Sequence, residues 1–149
     1  MSASLHLATP EDLEQLEPLV AAYHAFENIE SSQADRRRAL NPLLDGTPHG
    51  VAYLIGMRRA PVGYIVISFG YSIELGGIDG FIDEFFIRHS VRGRGMGTEV
   101  LTKLLPALGQ HGMKALHLEV NPANAKAQKL YSRAGFQLRD GYHLMTRIL

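Results

Sequence analysis

The sequence predicts an α/β protein in three layers, with helices packed on a mixed central sheet. Two observations carry that prediction. Apolar runs of strand length alternate with stretches whose apolar residues recur at helical spacing. A strand, a basic turn and a glycine-studded helix start also follow one another without interruption from Phe81 to Leu105. The resulting order is β-α-α-β-β-β-α-β-α-β-β. At 149 residues the chain is read as one domain, 1–149, long enough for a core of its own.

The elements follow from local chemistry. Leu5 to Ala8 is a short strand. Thr9-Pro10-Glu11-Asp12 starts a helix, with Thr9 as N-cap, Pro10 in the first turn and acids near the positive end. Leu13, Leu16, Leu19, Val20 and Tyr23 give it an apolar stripe to about Phe26. Ser31 or Ser32 caps a second helix through Arg36-Arg37-Arg38 to about Leu44. Successive helical positions diverge and Glu27, Glu30 and Asp35 are near, so the three arginines are read as a solvated face rather than a nucleic-acid patch.

Val51 to Met57 and Val62 to Phe69, joined by Arg58-Arg59-Ala60-Pro61, read as an antiparallel hairpin. Gly70 to Gly77 is either a loop or an extension of the neighbouring strands, and Phe81 to Ile87 completes the meander. Thr98 to Leu108 is helical with Val100, Leu101, Leu104, Leu105 and Leu108 buried, and Pro106 is expected to bend or end it. Lys114 to Val120 alternates as a strand. Asn124 caps a helix carrying Ala127, Leu130, Tyr131 and Ala134, which stops at Gly135. Phe136 to Leu138 and Tyr142 to Ile148 are expected as strands around Arg139-Asp140-Gly141.

Composition excludes several classes. Lys+Arg and Asp+Glu balance at 15 each, so no global field favours nucleic acid or a membrane surface. Without cysteine there is no disulfide framework, thiolate nucleophile or cysteine-zinc site, and no metal is expected. No apolar run approaches the roughly 18 residues of a span, and Met-Ser-Ala-Ser-Leu-His does not read as a signal peptide, so the cytoplasm is the expected location.

The turn from Arg92 to Thr98 carries the chemistry. Glycines let backbone amides approach a ligand, and the first amides of the next helix lack partners at the positive end of its dipole. Together they form an anion site suited to phosphate. Dinucleotide folds use G-x-G-x-x-G, but Thr98 stands three residues after Gly95. Nucleoside-triphosphate loops end Gly-Lys-Ser/Thr, but Gly97 meets Thr98 directly. Neither motif fits.

Arg92-Gly93-Arg94-Gly95-Met96-Gly97 matches R/Q-x-x-G-x-G/A, and the segment from Leu118-Glu119-Val120 through Asn124 and Leu130-Tyr131 to Gly135-Phe136 matches L-E-V-x-x-x-N-x-x-A-x-x-L-Y-x-x-x-G-F. In both signatures, and in their order, the chain resembles the GNAT superfamily of N-acetyltransferases. The resemblance implies a parallel pair of strands, Phe81 and Lys114, that splay at the cofactor cleft. It implies acetyl-CoA as the acetyl donor, with its pyrophosphate on the backbone amides of Gly93, Arg94, Gly95, Met96, Gly97 and Thr98. The pantetheine would pair with Phe85, Phe86 and Ile87 and reach Asn124. Arg92 and Arg94 are candidate charge partners.

Tyr131 takes the position of the general acid that protonates the CoA thiolate; a phenol in hydrogen-bond reach can do so. Two carboxylates compete as base, Glu84 just before Phe85 and Glu119 in Leu-Glu-Val. In a regular strand Asp83 faces away from Glu84. His24 and His117 read as packed or half-exposed histidines. Glu74, Asp79, Asp83 and Glu84 make an acidic rim suited to a small cationic amine or a peptide amine. Asp-Glu-Phe-Phe-Ile is also similar to the Glu-Asp-Phe-Phe-Val of diamine acetyltransferases, with the acids in reverse order. A non-catalytic acyl-CoA sensor on the same scaffold is the alternative reading. Family members are often dimers, so a homodimer is compatible.

Overall fold

The computed structural model describes residues 3–149. It has two compact units, one ending at Glu119 and the other spanning Val120–Leu149.

The first unit is built on a five-stranded sheet: β1 (Leu5–Leu7), β2 (Gly50–Met57), β3 (Ala60–Ser72), β4 (Gly77–Ile87) and β5 (Leu116–His117), side by side in that order. The first four strands pair antiparallel and β5 joins β4 in parallel. Its helices are α1 (Leu13–Phe26), α2 (Gln33–Leu44) and α3 (Met96–Gln110). The 70–77 segment resolves in favour of extension: β3 and β4 continue pairing to Ser72 and Gly77.

Alternation along the strands sorts the core. Ala52, Leu54, Tyr64, Val66 and Phe86 share one pleat and pack with Leu16, Leu19 and Val20 of α1 and Leu40 and Leu44 of α2. The opposite pleat buries Ile55, Ile65 and Ile67 completely, and α3 buries Val100, Leu101 and Leu104. Both faces of the sheet are shielded, as three layers require.

The helix starts are held by side chains. Asp12 accepts from the backbone N–H of Thr9 at 2.8 Å and from Arg58 at 2.9 Å. Ser32 accepts from the Asp35 N–H at 3.0 Å and caps α2. Each of the three consecutive arginines meets a carboxylate: Arg36 with Glu17, Arg37 with Glu14, Arg38 with Asp35. The solvated-face expectation holds for Arg38 but not for Arg36, whose guanidinium lies against buried Glu17, because α2 leans on α1.

Three further expectations are corrected. Pro106 neither ends nor shortens α3, which runs on to Gln110; one lost N–H is outweighed by the burial of the helix stripe. The strand expected over Lys114 to Val120 is a two-residue ladder. The third correction concerns the second unit, where no strand forms over Phe136–Leu138 or Tyr142–Ile148. A period-two pattern becomes a strand only with a ladder partner, and an isolated two-stranded hairpin is marginal in water. That unit has instead one helix, α4 (Ala125–Arg133), capped by Asn124 Oδ1 accepting from the Ala127 N–H at 3.1 Å. The chain folds back after Gly135: Phe136 N–H donates to the Tyr131 carbonyl, and the two rings meet edge-on with centroids 5.7 Å apart.

Two outcomes test this packing. A Cβ on Gly63 would stand 2.2 Å from the Phe86 carbonyl oxygen, so Gly63→Ala must push β3 and β4 apart. It is expected to lower the urea midpoint by the equivalent of about 1–3 kcal/mol with an unchanged slope. Burial opposes the charge on Asp12, but hydrogen bonds from Arg58 and Thr9 outweigh it and hold the carboxyl below its ordinary 3.8. Stability from this group is complete above that value and is lost as pH falls through the lower folded one. Thermal melts from about pH 2 to 7 should therefore show a shallower acid limb for Asp12→Asn than for the parent.

Candidate active site

β4 leads through a 3-10 turn, His89–Val91, into the glycine turn and α3. Gly93 and Gly95 have φ of 79° and 73°, and Gly95 is the N-cap of α3. A Cβ on either would meet nothing within 4 Å. Glycine is needed there for the backbone conformation, and the space over the turn stays open. The first intrahelical bond runs from Glu99 N–H to the Gly95 carbonyl. The amides of Met96, Gly97 and Thr98 therefore precede the ladder, at the positive end of a 15-residue helix. This cradle fits a phosphate.

Arg92 and Arg94 diverge. Arg94 is exposed on the turn. Arg92 folds back, its Nε donating to the Ile87 carbonyl at 2.7 Å, with its guanidinium 4.7 Å over the Phe26 ring and 5.3 Å from that of Phe86. It fastens the turn to the end of α1 and to β4. The parallel ladder between β4 and β5 consists of Gly80 with Leu116 and Phe81 with His117. Beyond Phe81, β4 continues through Phe85, Phe86 and Ile87 while β5 has ended.

On the α1 face of β4 the structure assembles a polar cluster. Val66 and Glu84 are register partners, as are Tyr64 and Phe86. The Glu84 side chain thus stands beside the buried Tyr64 ring, and the Tyr64 hydroxyl donates to Glu84 Oε1 at 2.7 Å. Nε2 of His24, near the end of α1, lies 2.7 Å from Glu84 Oε2, and Nδ1 lies 2.7 Å from Ser31 Oγ. Arg36 donates to the same Ser31 Oγ at 3.0 Å and to Glu17 at 2.7 Å. Tyr23 packs edge-on against Tyr64, with centroids 6.3 Å apart, and at a tilt against Phe86 at 6.0 Å. Burial and the adjacent Glu84 charge push the Tyr64 phenol far above its ordinary value, so it stays a donor.

A bulge changes the reading of Asp83. Ile67 pairs with Ile82 and Val66 with Glu84, so Asp83 is the extra residue and strict alternation fails there. Asp83 keeps exposed surface, yet desolvation by the surrounding protein raises its carboxyl, with His24 opposing the rise. Glu119 is exposed beyond the end of β5. Asp79 pairs with His117 at 3.2 Å. Tyr131 and Asn124 belong to the second unit, on and before α4. From sequence His24 reads as a packed or half-exposed histidine and Ser31 as a possible helix cap, so their part in the Glu84 cluster was missed.

The acetyltransferase (GNAT) family model matches residues 13–136. The chain belongs to the GNAT acetyltransferase family. As a GNAT protein it is an acyl-transferring enzyme, and its glycine turn lies within the matched region. No curated protein matches the sequence. Among solved structures, an integron cassette protein from the mobile metagenome of Cole Harbour Salt Marsh is 31% identical. The alignment covers 97% of this chain and 90% of that one, with a TM-score of 0.83. A ribosomal-protein-alanine N-acetyltransferase from Brucella melitensis biovar Abortus shares the fold at 19% identity, covering 99% and 100%, TM-score 0.79. An aminoglycoside acetyltransferase from an uncultured soil metagenomic sample, solved with sisomicin, does so at 14%, covering 98% and 95%, TM-score 0.81. Among the described residues no helix is long and apolar enough to cross a membrane.

The cluster makes one prediction independent of any ligand. Tyr64→Phe leaves Glu84 Oε1 without its buried donor. The variant should lose about 1–3 kcal/mol in urea unfolding, more than an exposed Tyr71→Phe control.

Proposed function

We propose that the protein transfers an acetyl group from acetyl-CoA directly to a primary amine, with residues 1–149 acting as one catalytic domain. The observation that carries this is the open glycine turn at the start of α3, inside a chain whose family is shown. The backbone amides from Gly93 to Thr98 would hold the pyrophosphate, and the edge of β4 at Phe85, Phe86 and Ile87 would pair with the pantetheine. Arg94 is the charge partner favoured here, because Arg92 is already committed to Ile87 and Phe26.

The reaction forms a C–N bond and breaks the C–S bond of the thioester. The attacking nitrogen must lose a proton and the departing thiolate must gain one. Tyr131 is proposed as the donor to the thiolate from its place in the second signature. For the amine proton, the hydrogen-bonded cluster built around Glu84, beside Asp83, is favoured over exposed Glu119. Those acids suit a small cationic amine or a peptide amine. Two proteins sharing the fold are named for acting on such different acceptors as a ribosomal protein and an aminoglycoside, so the fold does not choose between them.

Thermal shift with acetyl-CoA, CoA, ATP and NAD tests the reading. A ligand at 100 times its Kd adds about 2.7 kcal/mol, several degrees for a domain of this size. Acetyl-CoA and CoA should shift the melt and ATP and NAD should not. An amine panel should then release free thiol, and Tyr131→Phe should slow that release at least about 100-fold with acetyl-CoA affinity retained. No shift with either CoA species from folded protein overturns the proposal. Binding without transfer to any amine would favour the sensor reading.

A further inference from the structure

Glu84 is not a free carboxylate. Both of its oxygens receive hydrogen bonds from the protein, and the chain of contacts continues beyond it. We infer that the proton taken up by this cluster resides on Nδ1 of His24, with the Ser31 hydroxyl as its relay and Glu84 holding the resulting imidazolium. This rests on the acetyl-transfer reading and names the proton acceptor within it.

Donor and acceptor chemistry fixes the arrangement. An ionised carboxylate only accepts, so the 2.7 Å contact from Glu84 Oε2 requires the proton of neutral His24 to be on Nε2. Nδ1 is then an acceptor, 2.7 Å from Ser31 Oγ, and takes the Ser31 O–H. Ser31 can spend its proton this way because Arg36 N–H donates into its oxygen at 3.0 Å. Arg36 is in turn immobilised by Glu17 at 2.7 Å and by the Ser31 carbonyl.

One more proton changes roles without moving a heavy atom. The amine N–H bond breaks as its proton passes to Ser31 Oγ, and the Ser31 O–H bond breaks as its own proton passes to Nδ1. Nδ1–H of the imidazolium then donates to Ser31, and Nε2–H still donates to Glu84. Ser31 ends with one proton, as it began, and the positive charge has moved from the amine to His24. The charge is met by Glu84, and by Asp83, which is coupled to His24 through space.

Other titratable and charged groups face His24. On α1, Tyr23 lies with its ring 6.1 Å from the imidazole. On β3, Tyr64 is held protonated by burial. On α2, Arg36 is a permanent cation. His24 is therefore the member of this cluster that can take a proton on a ring nitrogen while keeping both of its hydrogen-bond partners. On this reading His24 is a positioning and proton-storing residue acting through Ser31, and Glu84 orients it.

Imidazole nitrogen NMR of the intact protein tests the assignment without any acetyl transfer. At high pH, His24 should show a protonated Nε2 and a bare, hydrogen-bonded Nδ1, and Nδ1 should be the atom that titrates. In kinetics with acetyl-CoA and an accepted amine, the acid limb of kcat/KM should coincide with that NMR midpoint. Ser31→Ala should lower kcat about 10-fold or more with acetyl-CoA affinity unchanged. His24→Gln, which keeps an N–H for Glu84 but has no basic nitrogen, should lower it about 100-fold and abolish the limb. Imidazole added to His24→Gly should restore part of the rate. A protonated Nδ1 at high pH, or an acid limb that survives in His24→Gln, overturns the inference while leaving acetyl transfer intact. The expected tautomer with no transfer to any amine instead overturns the acetyl-transfer reading and with it the catalytic role assigned to His24.

Discussion

The carboxylate of Glu84 joins the sheet to its covering helices. A single side chain of β4 receives a phenol from β3 and an imidazole from α1, and through Ser31 and Arg36 it reaches α2 and buried Glu17. A buried charge with an unmet oxygen is costly, whereas one fully met specifies a single arrangement of the elements around it. Among the described residues no buried side-chain nitrogen or oxygen lacks a partner. The apolar packing of Tyr23, Tyr64 and Phe86 around the carboxylate limits water at the bonds that hold it.

The second constraint is the backbone of the glycine turn. Two left-handed residues in close succession bring the chain from the end of β4 to the start of α3, and only glycine takes that conformation without strain. The turn is tied back by Arg92, whose guanidinium lies over the Phe26 and Phe86 rings. Phe86 therefore belongs to both regions, packed with Tyr64 and Tyr23 at the carboxylate cluster and lying under the arginine of the turn. The glycine turn proposed to bind the donor and the carboxylate cluster share the last residues of one strand.

The bulge at Asp83 shows how little backbone is needed to alter a site. One extra residue in β4 shifts the register between Val66 and Ile67, and Asp83 then interacts electrostatically with His24, where a regular strand would turn it to the far face. Its raised carboxyl and the His24–Glu84 pair create an acidic, partly desolvated environment at the end of α1. That combination is in keeping with the cationic amine acceptor proposed above.

Sequence alone determined the meander, both amphipathic entry helices, the cap at Asn124 and the glycine turn, and it narrowed the cap of α2 to Ser31 or Ser32. Each depends on residues within a few positions of one another, where propensity and periodicity act. It also identified Glu84 as a candidate base, through its place beside Phe85 in a recognisable motif. Tertiary structure decided what Glu84 touches. His24 is 60 positions away and Tyr64 is 20, and no spacing rule connects a helix end to a strand across a sheet. The same limit explains the C-terminal segment. Tyr142 to Ile148 has the pattern of a strand, but a pattern states which face is apolar and not whether an edge is there to pair with it. Local sequence sets what a segment can become, and long-range contacts set which of those forms has partners for its hydrogen bonds.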